Sequence, residues 1–172
     1  KWGWVARTVL KLGERAACVF PHETIAVAPA LAAYCATRYG RQTTCIPNGA
    51  SVREPMGTRV LQNILTPFGL QEGAYVLTVS RFVPHKGIHV TIEAFRRLRL
   101  EHAEFRHLKL AVVGGPSFTE HYADELRIAA GGDPAIVFLG SQYGRTLDAL
   151  YQGCAAFVHA SRSEGLPLVV LE

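Results

Sequence analysis

The sequence predicts an α/β protein built on a mostly parallel sheet with helices on both faces. Apolar, β-branched segments of about five or six residues recur along most of the chain. Segments with helical spacing of apolar residues follow them, and loops with glycine or charge separate each strand from the next helix. With 49% hydrophobic and 19% charged residues, the composition is that of a folded protein.

The first 49 residues are predicted to hold two helices and two short strands. Apolar residues spaced by three and four indicate a helix within residues 1–20, and residues 24–28 form a strand. Pro29 is suited to the first turn of a helix that ends at Tyr39, where Gly40 caps it. A second strand, residues 43–46, ends in the turn Pro47-Asn48-Gly49.

A polar stretch at residues 50–57 is the predicted linker and domain boundary. The predicted strands after it are residues 75–80, 108–113, 135–139 and 155–160. The predicted helices are residues 88–98, 119–130 and 145–153, with another starting near Pro167. Ligands of such sheets bind at the carboxyl ends of the strands, so the loops of interest are 81–87, 114–118, 140–144 and 161–166.

Two cations lie in the loop after the first of these four strands. Arg81 and Lys86 precede a predicted helix N-terminus, which itself favours anions through its free N–H groups and dipole. A guanidinium fork and an ammonium beside such a terminus suit a diphosphate. The alternative is that both are solvated loop charges.

Two glutamates flank the last predicted helix. Glu164 lies in the loop before it, and Glu172 is expected in its second turn. A carboxylate can accept hydrogen bonds from both hydroxyls of a diol, so each glutamate could hold one sugar ring. Residues 168–171 are apolar on every face, which predicts a buried helix and a partner for Glu172. The alternative is a chance pair, with Glu172 facing solvent.

Several classes of function are excluded or disfavoured. Neither a Walker phosphate loop nor the dinucleotide fingerprint is present, which argues against an NAD-linked oxidoreductase. The net charge of +4 comes from scattered basic residues, so nucleic acid is a weak candidate partner. The histidines lack metal-site spacing, and only His159 is expected near a ligand. The cysteines are expected to be buried small hydrophobes in a reducing compartment: Cys18, Cys35, Cys45 and Cys154.

Neither a membrane-spanning apolar run nor signal-peptide anatomy is found in the sequence. Both ends look like cut ends, since the chain starts without Met and stops inside a predicted helix. These features lead to the expectation of a cytoplasmic location, including the inner face of the membrane.

Four stretches resemble family 4 of the retaining glycosyltransferases, which have the GT-B fold of two facing Rossmann-like domains. They are residues 24–49, 75–95 (YVLTVSRFVPHKGIHVTIEAF), 112–116 (VVGGP) and 136–172, which ends in SEGLPLVVLE. The resemblance covers nearly all of the chain. It implies that residues 1–49 are the tail of the N-terminal, acceptor-side domain and that residues 50–172 are the C-terminal nucleotide-sugar-binding domain, truncated at its C-terminus.

The resemblance also assigns roles to individual residues. Arg81 and Lys86 would neutralise the donor diphosphate, Glu164 would lie near the donor sugar, and Glu172 would hold the ribose. The backbone amides of Gly165 and Leu166 would face the sugar or phosphate, and the helix start after Ser163 would stabilise the leaving group. Gly114 and Gly115 would line the cleft, Gly140 would belong to the donor site, and the base would lie against the loop after Gly140. Ser80 and Ala160 depart from the family's usual glycine and proline.

The implied reaction moves a sugar from a nucleoside-diphosphate donor to an acceptor hydroxyl with retention of configuration, without a metal or other cofactor. The acceptor would be a glycan, a lipid or a small molecule, and peripheral membrane association through the missing domain is expected. This piece alone is expected to bind the donor weakly and to transfer nothing. The alternative is a nucleotide-binding module of the same fold without catalytic activity.

Overall fold

The structure is a computed structural model that describes residues 3–50, 52–117 and 119–172. The chain forms two compact units. The first comprises residues 3–50 and Glu164–Leu171, and the second comprises residues 52–163 and Glu172. Each unit is described by itself.

The first unit contains the two-stranded parallel sheet of β1 (Ile25–Ala26) and β2 (Thr44–Cys45). Its helices are α1 (Trp4–Val19), α2 (Pro29–Tyr39) and the single turn α7 (Leu168–Leu171). Pro29 occupies the first turn of α2, and Gly40 ends this helix in the left-handed conformation with φ of 65°. The predicted elements of this region are thus present, with shorter strands.

The second unit is a four-stranded, fully parallel sheet in the order β5-β4-β3-β6. Its strands are β3 (Tyr75–Val79), β4 (Lys109–Val113), β5 (Ile136–Gly140) and β6 (Ala156–Phe157). Its helices are α3 (Thr58–Leu65), α4 (Ile88–Glu101), α5 (Glu120–Ala130) and α6 (Gly144–Gly153). The predicted Rossmann-like α/β class is confirmed. Strand β6 is shorter than predicted because only Ala156 and Phe157 pair with β3.

Alternate residues of the strands face different helices. Leu110, Val112 and Ile136 belong to a buried cluster that includes apolar residues of α4 and α5. On the opposite face, the fully buried Tyr75 donates a hydrogen bond of 2.6 Å to the carbonyl of Leu150 in α6. That carbonyl lies in the last turn of α6, where the helix offers no N–H partner. Helices therefore cover both faces, and the loops at the strand ends rest on a rigid layer.

Two sequence-based expectations were incomplete or wrong in this region. Helix α3 was not predicted, although its buried Leu61 and Leu65 lie one helical turn apart. The expectation of buried cysteines holds for Cys18 but is wrong for Cys45, which is exposed in the edge strand β2. All four cysteines are free thiols.

Candidate functional site

The candidate site follows from the order of the strands in the second unit. The chain runs from β3 to β4 and β5 on one side and returns to pair β6 on the other side of β3. The carboxyl ends of β3 and β6 therefore flank the topological switch point, where parallel α/β sheets bind their ligands. The loop after β3 contains Arg81 and Lys86, and the loop after β6 contains Ser161 to Ser163.

These two loops are joined through the backbone. The carbonyl of His85 accepts a hydrogen bond of 2.9 Å from the N–H of Arg162 and one of 3.4 Å from the Ser161 hydroxyl. Gly87 has φ of 70°, and a Cβ at this position would lie 2.2 Å from the carbonyl oxygen of Ala160. Only glycine permits this close approach, so the start of α4 is fixed against the loop that follows β6.

Arg81 lies before a short turn that leads into α4, and Lys86 is the last residue of that turn. Pro84–Lys86 forms a 3₁₀ turn, and the fourteen-residue helix α4 begins directly after Gly87. Arg81 is exposed and Lys86 is partly buried. Both charges thus lie in the loop before a helix N-terminus at the switch point, an arrangement suited to an anionic ligand. Binding of a diphosphate by these residues stays a prediction.

Glycines at the carboxyl ends of β4 and β5 connect the remaining loops. Gly114 donates its N–H to the carbonyl of Gly140 at 2.8 Å, and Gly115 accepts a 2.8 Å hydrogen bond from the N–H of Phe82. Gly114 has φ of 134°, and a Cβ there would lie 1.9 Å from the carbonyl oxygen of Ser80. Packing alone therefore requires glycine at position 114. Contacts of Gly114, Gly115 and Gly140 with a donor remain predicted.

Glu172 differs from its predicted setting. Helix α7 ends at Leu171, so Glu172 follows the helix and does not lie in its second turn. The prediction that residues 168–171 are buried is wrong, since Leu168 and Val170 are 51% and 54% exposed. A single helical turn of four residues is too short to be packed on every face.

The expected partner of Glu172 does exist within the second unit. Nη2 of Arg53 lies 3.5 Å from Oε1 of Glu172, and the Tyr151 hydroxyl forms a hydrogen bond with the same carboxylate. Burial, and then the charge of Glu172, raise the pKa of Tyr151 above its usual range, so this phenol stays a donor near neutral pH. Sequence analysis did not identify Arg53 or Tyr151. Both residues are distant from Glu172 in the sequence, so only the three-dimensional structure reveals them as its partners.

The residues around Glu164 belong to the first unit, apart from Ser163. Gly165 lies against apolar side chains, because a Cβ there would approach Leu31 and Val27 at 3.3 and 3.4 Å. The side-chain amide of Asn48 donates a 2.9 Å hydrogen bond to the carbonyl of Leu166. Glu164 is exposed, as is Ser163 in the second unit. Their roles at a donor sugar are untested.

His159 has a structural contact that does not involve a ligand. Its ring stacks on Phe157, with centroids 6.3 Å apart and an interplanar angle of 12°.

Across the described ranges, no three His, Cys, Asp or Glu side chains gather closely enough to hold a metal ion. No helix in the described part of the chain is long and apolar enough to cross a membrane. The expectations of metal-free chemistry and of a cytoplasmic location stay predictions.

The contact between Gly87 and Ala160 yields a stability prediction. Gly87→Ala must both adopt a left-handed conformation and displace the Ala160 carbonyl, so we expect a loss of about 3 kcal/mol of unfolding free energy. Gly132→Ala is the matched control, because Gly132 has the same φ of 70° and open space around its Cβ position. It should lose only about 1 kcal/mol. Equal losses in urea denaturation would refute the proposed contact.

The strand order, the crossing at the switch point and the paired glycine loops define a Rossmann-like α/β protein of the kind found in GT-B glycosyltransferases. Residues 67–172, more than half of the chain, match the family model described as Glycosyl transferases group 1. The chain therefore belongs to this family. Membership of the glycosyltransferases is confirmed, whereas assignment to family 4 and retention of configuration stay predictions.

Solved structures of low sequence identity share the fold. HepE of Anabaena, in complex with UDP and glucose, aligns with TM-score 0.77 and 22% identity over 93% of this chain and 43% of its own. A point variant of TarM from S. aureus aligns with a TM-score of 0.68 and 16% identity. The alignment covers 92% of this chain and 29% of TarM. WaaG, a glycosyltransferase involved in lipopolysaccharide biosynthesis, aligns with a TM-score of 0.70 and 17% identity. The alignment covers 99% of this chain and 48% of WaaG. The chain thus spans less than half of these proteins. The search of curated proteins found no match.

Proposed function

We propose that this chain binds the nucleoside-diphosphate-sugar donor of a glycosyltransferase. The observation that supports the proposal is the location of Arg81 and Lys86 before the N-terminus of α4, at the switch point of the sheet. The complexes of HepE with UDP and glucose and of TarM with UDP also support it. The protein to which the chain belongs then transfers the sugar to an acceptor hydroxyl.

The proposed chemistry is electrostatic. Negative charge builds on the nucleoside diphosphate as its bond to the sugar breaks. Arg81 offers a planar fork to two phosphate oxygens, and Lys86 adds a compact positive charge. The free N–H groups at the start of α4 add fixed dipoles that also stabilise negative charge. These groups stabilise the leaving group without a metal, and we propose that no cofactor takes part.

The other parts of the donor are assigned as the family resemblance implies. Glu172 accepts hydrogen bonds from the ribose diol, Glu164 lies near the donor sugar, and the amides of Gly165 and Leu166 face the sugar or phosphate. The Glu172 side chain is 25% exposed beside Arg53, so its carboxylate is accessible to the ribose hydroxyls.

The acceptor is a glycan, a lipid or a small molecule, and the reaction retains the anomeric configuration. Proton NMR of the product of the full-length protein tests retention, and an inverted anomer would exclude it.

The donor proposal predicts that binding depends on the diphosphate. We expect UDP or GDP to bind at least about tenfold more tightly than UMP or GMP, because the second phosphate adds charge-assisted hydrogen bonds of about 1.5–3 kcal/mol. Isothermal titration calorimetry on the chain measures the two affinities, with uridine as the control that lacks phosphate. If UDP bound no more tightly than UMP and uridine, and GDP no more tightly than GMP, a diphosphate site in this chain would be excluded.

A further inference from the structure

The segment that precedes α3 is attached to α6 by three polar contacts. Arg53 forms an ion pair with Asp148. The N–H of Met56 donates a 2.8 Å hydrogen bond to Oε1 of Gln152, whose Nε2 donates at 3.2 Å to the carbonyl of Glu54. Asp148 and Gln152 are four residues apart and so lie on one face of α6. The segment therefore has a defined position on this helix.

Arg53 bridges two carboxylates from this position. Its Nη1 contacts Asp148, and its Nη2 lies 3.5 Å from Oε1 of Glu172. The side chains of Asp148 and Glu172 are 17% and 25% exposed, so solvent screens this contact less than a surface ion pair. The planar fork of arginine can serve two partners at once, whereas a lysine ammonium on its flexible stem cannot hold both in fixed directions.

Tyr151 restrains the same carboxylate from α6. Its hydroxyl forms a hydrogen bond with Glu172, and its ring packs on Phe157 with centroids 5.4 Å apart. A carboxylate has about four acceptor positions, so one ion pair and one phenol leave room for two hydroxyls. The arrangement thus orients Glu172 without using up its capacity to accept.

We propose that Arg53, held by Asp148, is a positioning residue that orients Glu172 for recognition of the donor ribose. The inference rests on the proposed function, in which Glu172 binds the ribose diol. Arg53 itself contacts neither substrate nor reacting atoms in this role. Its removal leaves Glu172 restrained by the Tyr151 hydroxyl alone, so the carboxylate is oriented toward the two hydroxyls for a smaller fraction of the time.

The test compares UDP with 2′-deoxy-UDP, both titrated calorimetrically into the full chain. Arg53→Ala should lower the ratio of the two affinities by about three- to tenfold, because 2′-deoxy-UDP has only one of the two hydroxyls and therefore loses less affinity than UDP. Arg53→Lys should fail to restore the ratio, because it keeps the charge but loses the fork. Arg59→Ala, which removes an exposed arginine of the nearby α3, should leave both affinities unchanged.

The outcomes separate this inference from the function on which it rests. A folded Arg53→Ala variant with an unchanged ratio, or with equal losses for both nucleotides, overturns the positioning role alone. A wild-type chain that binds both nucleotides equally overturns the ribose role of Glu172, and the inference falls with it. If Arg53→Ala does not fold, Asp148→Asn provides the test. It should lower the ratio in the same direction, and an unchanged ratio there contradicts the proposal.

Discussion

Replacing both Arg81 and Lys86 by alanine is expected to weaken binding of UDP or GDP by two or more orders of magnitude. Each charge-assisted contact to phosphate contributes about 1.5–3 kcal/mol, and every 1.4 kcal/mol is a factor of ten in affinity. The two residues lie in the loop between β3 and α4, at the switch point of the sheet. Calorimetry on the double variant measures the effect directly.

The matched control removes the same two charges elsewhere. Arg97 and Arg127 are exposed near the C-terminal ends of α4 and α5, at the far end of each helix from the strand carboxyl ends, so Arg97→Ala combined with Arg127→Ala lowers the net charge by the same amount. We expect less than about a threefold change, because exposed charges more than about 10 Å from a ligand are screened at physiological salt. An unchanged affinity of the Arg81 and Lys86 variant for both UDP and GDP would remove the diphosphate assignment.

Glu172→Ala is expected to abolish the preference of the chain for a ribonucleotide. Hydrogen bonds to a charged acceptor contribute about 1.5–3 kcal/mol each, so the wild-type chain should bind UDP at least about tenfold more tightly than 2′-deoxy-UDP. Without the carboxylate, the affinities should converge. The variant also leaves Arg53 with Asp148 as its partner, so the second unit should keep its fold.

The informative control for this prediction is Glu101→Ala. Glu101 pairs with an arginine four residues earlier on the exposed surface of α4, so its removal deletes a carboxylate beside an arginine outside the proposed site. It should leave the preference unchanged. A wild-type chain without preference, or a Glu172→Ala variant that retains it, would show that Glu172 is a structural residue only.

Local sequence patterns were sufficient for most of the fold. Short β-branched segments predicted β3, β4 and β5, since a strand buried on both faces tolerates little else. Pro29 and Gly40 marked the ends of α2, because the fixed φ of proline suits a first helical turn and glycine readily adopts the left-handed φ of 65° that ends the helix. The loop with Arg81 and Lys86 was predictable because its neighbours, a strand and a helix, were both clear.

Features set by contacts distant in sequence were not predictable in the same way. Arg53 and Glu172 lie at opposite ends of the second unit's sequence, and periodicity provides no information on such a pair. Helix α3 has only eight residues, too few for a strong periodic signal. The shortness of β6 depends on its pairing with Val76 and Leu77, which composition does not encode.

The most direct test of the central claim is a crystal structure of the chain, or of the full-length protein, with UDP or GDP bound. The account predicts that the diphosphate lies at the carboxyl ends of β3 and β6, within about 3.2 Å of side-chain nitrogens of Arg81 and Lys86. It also predicts ribose hydroxyls on the carboxylate of Glu172. A nucleotide bound elsewhere, with Arg81 and Lys86 both facing solvent, would contradict the account.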